Sequence, residues 1–439
     1  MFGLTEENIN NSTFAVPHFQ LNGRLESANG VLSARIPAAV DELCVLKSKS
    51  RSESLAKVIG FENGLVRLLP FHPCADLTTE TRVCPLRRRL SVPCGPSLLG
   101  RILNGVGDPI DRKGPVGNCE FRNATQLNVP DPLQRTRIDT PLFTGQRVID
   151  GFLSLGLGQR VGLFAGSGVG KSTLLGEIAK QARVDCNVIL LIGERGREVL
   201  PFLEDCLGPT GLERSVVVIA TSDETPMMRV QAVQTGVIIA DYFRSQGQQV
   251  MLMIDSLTRL AMAQREIGLL LGEPPTSRGY TPSVFQLLAN TLEMLGNSDA
   301  GGITAITTVL VDADDMDDPI ADSVRSIVDG HIVLSRHLAE LGHYPAVDLG
   351  ASVSRVFDDV TSEEHRHCSR KIRRILAIYN DNIDLIKTGA YEPGSSLEMD
   401  DAIRLIPSVN GLLQQSTDEF ISQEELQKTM KALASQWRH

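Results

Sequence analysis

The sequence is poor in aromatic residues and contains no long apolar run. Only 5% of its 439 residues are aromatic, with one tryptophan and five tyrosines. No apolar stretch approaches the ~20 residues that a membrane-spanning helix needs, and Met1–Asn11 is polar and acidic, unlike a secretory signal. We therefore expect a cytoplasmic protein, peripheral at the inner face of the plasma membrane at most.

Paired cysteines and an excess of positive charge are also lacking. The eight cysteines form no C-x-x-C pair and show no metal-ligand spacing, which favours reduced thiols over disulfides or a zinc site. There are 43 basic and 53 acidic residues, giving a net charge of −10. This balance argues against nucleic acid as the main partner.

The chain is too long for one hydrophobic core, so two or three domains are expected. Turn dipeptides between short apolar runs predict a small antiparallel barrel or sandwich over residues 1–95. These dipeptides are Asn22-Gly23, Asn29-Gly30 and Asn63-Gly64. Helical patterns without strands follow residue 361, over Ser362–Ile386, Asp400–Gln414 and Ser422–Gln436. Trp437, close to the last residue, is expected to be loosely held.

Residues 96–360 alternate between apolar strands and amphipathic helices. Short runs rich in branched apolar residues suit strands that are buried on both faces of a parallel sheet. These runs are Gln159–Ala165, Val188–Ile192, Val216–Ala220, Val250–Ile254, Ile303–Val311 and His331–Leu334. The pattern predicts a doubly wound α/β nucleotide-binding core.

The most informative motif is Ala165–Ser172, A-G-S-G-V-G-K-S, which fits a phosphate-binding P-loop between a strand and a helix over Lys171–Arg183. Glycines allow the loop to curl so that backbone N–H groups face the phosphates. Lys171 would reach the β- and γ-phosphates of ATP, and the Ser172 hydroxyl would hold Mg²⁺. The predicted nucleotide-binding residues of the loop are Gly166, Ser167, Gly168, Val169, Gly170, Lys171, Ser172 and Thr173.

Two acids follow predicted core strands. Asp255 ends V-M-L-M-I-D, a Walker B pattern, and would hold Mg²⁺ through water. Glu194 lies in I-G-E-R-G-R-E, after another strand, where ligands bind in open α/β sheets. It is the candidate to orient or deprotonate the attacking water, with Arg195 and Arg197 expected to keep it ionised.

With these motifs in order, the chain resembles the catalytic subunits of rotary-type ATPases, and most closely the export ATPases of flagella and type III secretion systems. The resemblance covers essentially the whole chain and is weaker in the first 20 residues and after about residue 400. The matching segments are Gly145–Gly151, Ala165–Thr173, Gly193–Val199, Asp255–Arg265, Gly272–Pro275, Asp317–Asp322, Ile327–Arg336 and Tyr344–Asp348.

The resemblance implies a P-loop (RecA-like) α/β core with an N-terminal β-barrel for oligomerisation and a C-terminal α-helical domain. It also implies roles for single residues. Glu194 polarises the attacking water, Arg195 and Arg259 line the nucleotide site, and Glu198 lies near the water shell of the metal. Tyr344 stacks on adenine. Arg355, in G-A-S-V-S-R-V, matches an arginine finger that is inserted from a neighbouring subunit.

Because one chain carries both the Glu194 and the Arg355 motifs, every interface in a ring of identical copies is able to be catalytic. We therefore predict a homo-oligomeric ring, most simply a hexamer. The resemblance implies that Mg²⁺-dependent hydrolysis energises the unfolding or release of export substrates and their chaperones at a secretion gate. The P-loop sequence of Ala165–Ser172 and the segment D-D-P-I-A-D-S at residues 317–323 favour the flagellar type over the injectisome type.

Further partners follow from the same resemblance. The acidic segment Asp312–Asp318 is expected to face the ring's pore and contact a central stalk protein. A regulatory stator protein binds a longer amphipathic N-terminal arm in the family, and Met1–Asn11 departs from that pattern because it has few apolar positions. The C-terminal helices are the expected docking surface for chaperones.

Three other functions stay open on the residues alone. A hexameric RNA translocase of the transcription-terminator type needs a basic, aromatic barrel. Residues 1–95 instead hold 11 basic and 9 acidic residues, with five phenylalanines and no tyrosine or tryptophan. A non-catalytic nucleotide-binding subunit is disfavoured by Lys171 and Glu194. An ATP synthase subunit is disfavoured by the pairing of Glu194 and Arg355 in one chain.

Overall fold

The computed structural model describes residues 22–49, 52–127, 133, 135–311 and 315–439. These described residues form two compact units, divided between Leu90 and Ser91. No helix among the described residues is long and apolar enough to cross a membrane. Met1–Asn11, the segment that departs from the stator-binding arm of the family, lies outside the described residues.

The first unit is a closed antiparallel barrel, which confirms the predicted N-terminal β-barrel. In its described part the strands are β1 (Gly23–Asn29), β2 (Val31–Ala34), β3 (Glu42–Lys47), β4 (Glu53–Glu62), β5 (Leu65–Pro70) and β6 (Arg82–Arg89). Their order around the barrel is β1-β2-β5-β4-β3-β6, and β6 pairs back with β1. Inward-facing residues such as Leu46, Val58 and Leu68 form its core.

Two of the three predicted hairpin turns join adjacent strands of the barrel. Asn29-Gly30 connects β1 to β2, and Asn63-Gly64 connects β4 to β5. Asn63 and Gly64 both have positive φ, at 51° and 75°, as the tightest hairpin turn requires. Asn22-Gly23 lies instead at the start of β1.

The second unit is built on a mostly parallel sheet. Its strands are β7 (Val92–Cys94), β8 (Arg101–Asn104), β9 (Glu120–Arg122), β10 (Pro141–Leu142), β11 (Leu155–Gly156), β12 (Arg160–Ala165), β13 (Cys186–Ile192), β14 (Ser215–Ala220), β15 (Gln249–Asp255), β16 (Gly296–Asn297), β17 (Gly302–Leu310), β18 (Gly330–Leu334) and β19 (Val347–Ser354). The main sheet has the order β19-β18-β12-β17-β15-β13-β14-β8, and β16 pairs with β17. Strands β13 and β14 are buried along their whole length, as the predicted parallel sheet demands.

Helices cover the sheet and form the C-terminal part of this unit. They are α1 (Arg147–Phe152), α2 (Lys171–Gln181), α3 (Gly196–Pro201), α4 (Gly208–Glu213), α5 (Pro226–Ser245), α6 (Leu257–Leu270), α7 (Pro282–Glu293), α8 (Pro319–Ile327), α9 (Arg336–Glu340), α10 (Phe357–Val360), α11 (Glu363–Asp381), α12 (Ile383–Lys387), α13 (Leu397–Leu413) and α14 (Gln423–Ser435). A π-helical segment, Phe202–Leu207, lies between α3 and α4. The observed α/β core and helical C-terminal part confirm the predicted fold class.

The C-terminal helices share one apolar core with the sheet and α2. Ile375 of α11, Val409 of α13 and Leu433 of α14 belong to the same buried cluster as Leu163 of β12. Trp437 is only 3% exposed and lies in this cluster. The expectation that it is loosely held was wrong, because α14 carries it back onto the core.

Parallel strands bring the predicted site motifs to one edge of the sheet. The carboxyl ends of β12 and β17 meet at Ala165 and Leu310, and those of β13 and β15 meet at Leu191 and Asp255. The P-loop and both acids follow these ends directly. Ligands bind at this edge in open α/β sheets.

Candidate active site

The loop between β12 and α2 has the backbone that a phosphate cradle needs. Gly168 and Gly170 have φ of 78° and 87°, conformations that residues with a side chain rarely adopt. Gly170 is also the N-cap of α2, so the positive end of the helix dipole faces the cleft. The side chain of Val169 is buried in the core, which leaves its backbone for a phosphate.

Lys171, Asp255 and Glu194 form one cluster above this loop. Lys171 Nζ pairs closely with Asp255 Oδ1 and lies 3.6 Å from Glu194 Oε1. Asp255 is 3% exposed and also accepts a hydrogen bond of 2.7 Å from Thr308 Oγ1. Three predicted site residues from three separate motifs therefore meet at one point.

The loop after β13 holds Glu194 rigidly by its backbone. Ser222 N–H donates to the Glu194 carbonyl at 2.9 Å, and Gly193 N–H donates to the Ala220 carbonyl at 2.6 Å. A Cβ on Gly193 would lie 2.8 Å from Arg259 Cβ, so only glycine allows α6 to approach. The pKa of Glu194 is raised, chiefly by burial, with the Lys171 cation opposing and the Asp255 carboxylate adding to the rise.

The expected effect of Arg195 and Arg197 on Glu194 is not seen. Their side chains are 60% and 76% exposed, and both face Glu198, with Arg195 Nη1 at 3.4 Å and Arg197 Nε at 3.9 Å from Glu198 Oε1. The cations that favour the ionised form of Glu194 are Lys171 and Arg259. Sequence adjacency misled here because the chain turns into α3 directly after Arg195.

Arg259 is presented by the first turn of α6. Ser256 caps this helix and accepts a hydrogen bond from Arg259 N–H at 3.3 Å. The Arg259 Nε is buried without a hydrogen-bond partner among the described residues. A buried donor without an acceptor is costly, and a phosphate oxygen would satisfy it. This orphaned donor is the observation that best fits an anionic ligand.

A cleft of about 400 Å³ joins these groups. It is lined by Ala165, Gly166, Ser167, Gly168, Gly170, Lys171, Ser172, Thr173, Glu194, Arg195, Glu198, Arg259, Leu310 and Val311. Within the described ranges, no group of three or more His, Cys, Asp or Glu side chains is arranged to hold a metal ion. Mg²⁺ is commonly bound by one or two carboxylates together with substrate phosphates, so the Ser172 hydroxyl and the neighbouring acids are a suitable donor set.

Tyr344 borders a second, larger cavity of about 860 Å³ on the other side of the loop. Tyr344 is 44% exposed, and its ring would lie 3.4 Å from a Cβ on Gly170. The cavity is therefore continuous with the loop residues Gly168, Gly170 and Thr173 that line both spaces. This is a suitable position for the base of a nucleotide whose phosphates occupy the cleft.

Sequence reasoning missed the residues that close this cavity. Gln415 Nε2 donates to the Gly145 carbonyl and Gln415 Oε1 accepts from Arg147 N–H, both at 2.8 Å. Gln415 N–H also donates to the Tyr344 carbonyl at 2.9 Å. Glu177 of α2 accepts from Asp418 N–H at 3.1 Å. Gln415 and Gly145 are 270 residues apart, and no local motif signals such a contact.

Arg355 lies at the opposite edge of the sheet from the cleft. Strand register aligns Ser354 with Gly330, and Gly330 with Val161 near the start of β12. Val161 and Ala165 are four residues apart, or about 13 Å along a strand. The exposed Arg355 side chain donates to the Arg325 carbonyl at 3.3 Å. The structure therefore separates Arg355 from the other predicted catalytic residues of the same chain.

The acidic segment Asp312–Asp318 is described only in part, since residues 312–314 lie outside the described ranges. Two of its aspartates pair with Arg278, Asp315 at 2.7 Å and Asp318 at 2.8 Å. Asp318 also caps α8 by accepting from Ile320 N–H at 2.9 Å. Asp317 is exposed, and no ion pair to its carboxylate is seen in the described residues.

Two family models match this chain. The nucleotide-binding domain of the ATP synthase alpha/beta family matches residues 145–354. The C-terminal domain of the type III secretion ATPase EscN matches residues 361–432. The two matches follow one another along the second unit.

Relatives from both secretion systems match at the same level. The chain is 46% identical to the flagellum-specific ATP synthase of Bacillus subtilis over 408 residues, 92% of this chain and 93% of that protein. It is also 46% identical to the type 3 secretion system ATPase of Xanthomonas euvesicatoria over 403 residues, 92% of this chain and 90% of that protein. The preference for the flagellar type therefore stays a prediction.

The fold is similar to that of EscN from the type III secretion system of enteropathogenic E. coli. The structure of the assembled EscN ATPase matches with a TM-score of 0.88 at 40% identity, covering 94% of this chain and 100% of that one. A second structure contains assembled EscN in complex with its central stalk EscO and matches with a TM-score of 0.87 at the same identity.

Proposed function

This chain belongs to the flagellar and type III secretion ATPases of the ATP synthase α/β family, and on that premise we propose how its residues divide the work of ATP hydrolysis. The protein is an ATPase that energises protein export. The Gly166–Thr173 backbone and Lys171 bind the phosphates, Arg259 contributes its buried guanidinium, and Tyr344 packs on the base. The cleft and the orphaned Arg259 donor support this assignment.

Glu194 is the residue that orients the attacking water. Its carboxylate lies beside Lys171, close to where the terminal phosphate would be bound, and its backbone is fixed from both sides. Ser172 and Asp255 would hold Mg²⁺, with Glu198 near its water shell. Bound Mg²⁺ would neutralise charge on the β- and γ-phosphates. Arg195 would act from the rim of the cleft, where its side chain is already exposed.

Arg355 is the arginine finger, and it acts on the cleft of a neighbouring copy. The observation that supports this most directly is that Arg355 and Lys171 lie beyond opposite ends of the strands of the sheet. One copy therefore cannot bring both side chains to the same phosphate. Assembled EscN supports a homo-oligomeric ring for this chain, and we propose a hexamer. Each interface would then hold Glu194 from one copy and Arg355 from the next.

Mixing two inactive variants tests this arrangement. Glu194→Gln rings and Arg355→Ala rings should each lose at least about 100-fold in turnover. In randomly mixed rings, about a quarter of the interfaces regain both groups, so turnover should return to roughly that fraction of wild type. Mixtures that demonstrably co-assemble and stay inactive would contradict the proposal. Arg355→Ala should also bind nucleotide nearly normally, whereas Lys171→Ala should not.

We further propose that the exposed part of the Asp312–Asp318 segment contacts a central stalk protein, as the EscN–EscO complex suggests by analogy. Asp317 is the best residue to mutate in a test of this contact. Asp315 and Asp318 already form ion pairs with Arg278, and Asp318 also caps α8. A regulatory stator, the export gate and substrate chaperones remain proposed partners, and nucleic acid is not among them.

The proposed domains are the barrel over 1–95, the ATPase core over 96–360 and the helical domain over 361–439. The compact unit that ends at Leu90 supports a boundary near residue 95, with the barrel serving oligomerisation. We propose that the protein acts in the cytoplasm, peripheral to the inner face of the membrane at most.

A further inference from the structure

Asp255 and Thr308 lie side by side at the ends of adjacent parallel strands. Ile254 of β15 is in register with Thr307 of β17, so the next residue on each strand, Asp255 and Thr308, shares one level and one face. Asp255 is 3% exposed and Thr308 is fully buried. The Thr308 hydroxyl donates to Asp255 Oδ1 at 2.7 Å.

The two oxygens of the Asp255 carboxylate have different surroundings. Oδ1 accepts from both Thr308 Oγ1 and Lys171 Nζ. Oδ2 receives no hydrogen bond within the described part of the chain. One oxygen is therefore committed to the protein, and a metal ion or one of its water ligands would have to use the other.

We propose that Thr308 is a positioning residue that holds the Asp255 carboxylate in place for Mg²⁺ binding. The inference rests on the proposed role of Asp255. Lys171 is required at the phosphates, and when it turns to them Thr308 is the remaining donor to Oδ1. Without Thr308, Asp255 would then be a buried carboxylate with no donor, which is costly.

The other hydroxyls of this strand show that the contact is particular to Thr308. Thr307 Oγ1 donates to the Val161 carbonyl at 3.3 Å, and Thr304 Oγ1 accepts from Gly158 N–H at 2.8 Å. Both of these hydroxyls therefore form hydrogen bonds with backbone groups and not with a side chain of the site. Thr307 is fully buried and adjacent to Thr308, so Thr307→Val is a matched control for loss of a buried hydroxyl.

The test measures binding of fluorescently labelled ADP to the full chain, once with excess Mg²⁺ and once with EDTA. The Mg²⁺ effect is the ratio of the ADP affinity with Mg²⁺ to the affinity in EDTA. In Thr308→Val this ratio should be about 10-fold smaller than in the wild type, which is the usual effect of removing a residue that orients a metal ligand. Its affinity in EDTA should change less than about 2-fold, because the P-loop is intact. Thr308→Ser should restore the Mg²⁺ effect, and Thr307→Val should match the wild type. Thr308→Ala, which also lacks the donor, should repeat the result if Thr308→Val folds poorly.

Two results would overturn the inference. One is a full Mg²⁺ effect in both Thr308→Val and Thr308→Ala. The other is an equal loss of affinity with and without Mg²⁺, which would assign the hydroxyl to general packing. Asp255→Asn separates these from failure of the proposed function. If Asp255→Asn keeps the whole Mg²⁺ effect, the metal role of Asp255 is wrong. If Asp255→Asn loses the effect and the Thr308 variants keep it, only the role of Thr308 is wrong.

Discussion

At the scale of a single residue, the surroundings of Glu194 shift its pKa in opposite directions. Burial raises its pKa most strongly, and the Asp255 carboxylate raises it further, while the cations of Lys171 and Arg259 lower it. The balance lies above the ordinary value of a glutamate. A carboxylate with a raised pKa is a stronger base and is better suited to take a proton from water than an ordinary exposed carboxylate is.

The raised pKa of Glu194 predicts the acid side of the pH–rate profile. In its proposed role Glu194 must be ionised to polarise water, so activity should fall as the pH decreases through its pKa. Because that pKa is raised, the acid limb of kcat/KM should lie above the range of an ordinary glutamate. ATPase assays across pH with excess Mg²⁺, which keeps the nucleotide's own protonation constant, measure this limb.

Two comparisons make the pH assignment specific. Asp359→Asn changes an exposed acid after β19, away from the cleft, and should leave the limb unmoved. A limb at the ordinary glutamate value in the wild type would show that burial of Glu194 does not control the reaction. Residual activity of Glu194→Gln should no longer follow this limb.

Gln159 shows how one buried side chain joins several elements. It is fully buried at the start of β12, and its Oε1 accepts from Gly156 N–H of β11 at 2.9 Å. Its Nε2 donates to the Asp329 carbonyl at 3.2 Å and to Ser354 Oγ at 3.1 Å. Ser354 immediately precedes Arg355 in the chain, and the Arg355 N–H also donates to the Asp329 carbonyl. Strand β12 therefore connects the P-loop, at its carboxyl end, with the backbone around Arg355, at its amino end.

Replacement of this side chain should affect both stability and turnover. Gln159→Leu removes three hydrogen bonds and leaves the buried Gly156 N–H without its side-chain acceptor, so we expect a loss of roughly 2 kcal/mol in the free energy of unfolding. Turnover should fall more than nucleotide affinity, because the loosened segment is the one that presents Arg355. Denaturant unfolding and paired ATPase and ADP-binding assays measure the two effects.

The control for Gln159 is Gln264→Leu in α6. Gln264 is half-buried and donates to Ser283 Oγ at 3.1 Å, so its loss should cost less than about 1 kcal/mol. Equal effects of the two substitutions, or a Gln159→Leu protein with wild-type turnover, would show that the hydrogen bonds of Gln159 are not needed to hold Arg355.

Elements with a strong local pattern were predictable from sequence, and elements defined by distant contacts were not. The runs around Val188, Val216 and Val250 are strands because buried parallel strands need continuous branched apolar residues. Strand β8 gave no such signal, since it lies at the edge of the sheet and only Leu103 of its four residues R-I-L-N is fully buried. The bulged pairing of β18 with β19 likewise depends on its neighbours.

The same division applies to the site. Lys171 and Asp255 were identifiable because phosphate and metal chemistry demands a fixed local motif. Thr308 and Gln415 were not, because their contacts join residues that are 53 and 270 positions apart. Strand register, once known, would have been enough to pair Thr308 with Asp255.

At the scale of the whole molecule, the proposed roles of Glu194 and Arg355 mean that one copy holds an incomplete catalytic site. Its cleft is lined by Lys171 and Glu194, with Asp255 paired to Lys171 behind them, while Arg355 lies beyond the far edge of the sheet and faces solvent. On the proposed assignment, a separated copy has the groups for binding nucleotide and lacks the Arg355 cation of its neighbour, which would stabilise the transition state. Activity and assembly should be coupled for this reason, whereas nucleotide binding should not be.

This coupling predicts how the ATPase rate depends on protein concentration. An arginine finger contributes about 10³–10⁵-fold in rate, so turnover per chain should rise steeply over the concentrations at which rings form. Size-exclusion chromatography with light scattering, at the concentrations used for the assay, provides the fraction assembled. Arg355→Ala should assemble over the same range while its rate per chain stays low and flat, which separates ring formation from the cation it delivers. The contrary result is a wild-type rate per chain that is high and constant while the protein is monomeric. The site would then be complete within one copy, and Arg355 at the far edge of the sheet would have no role in catalysis.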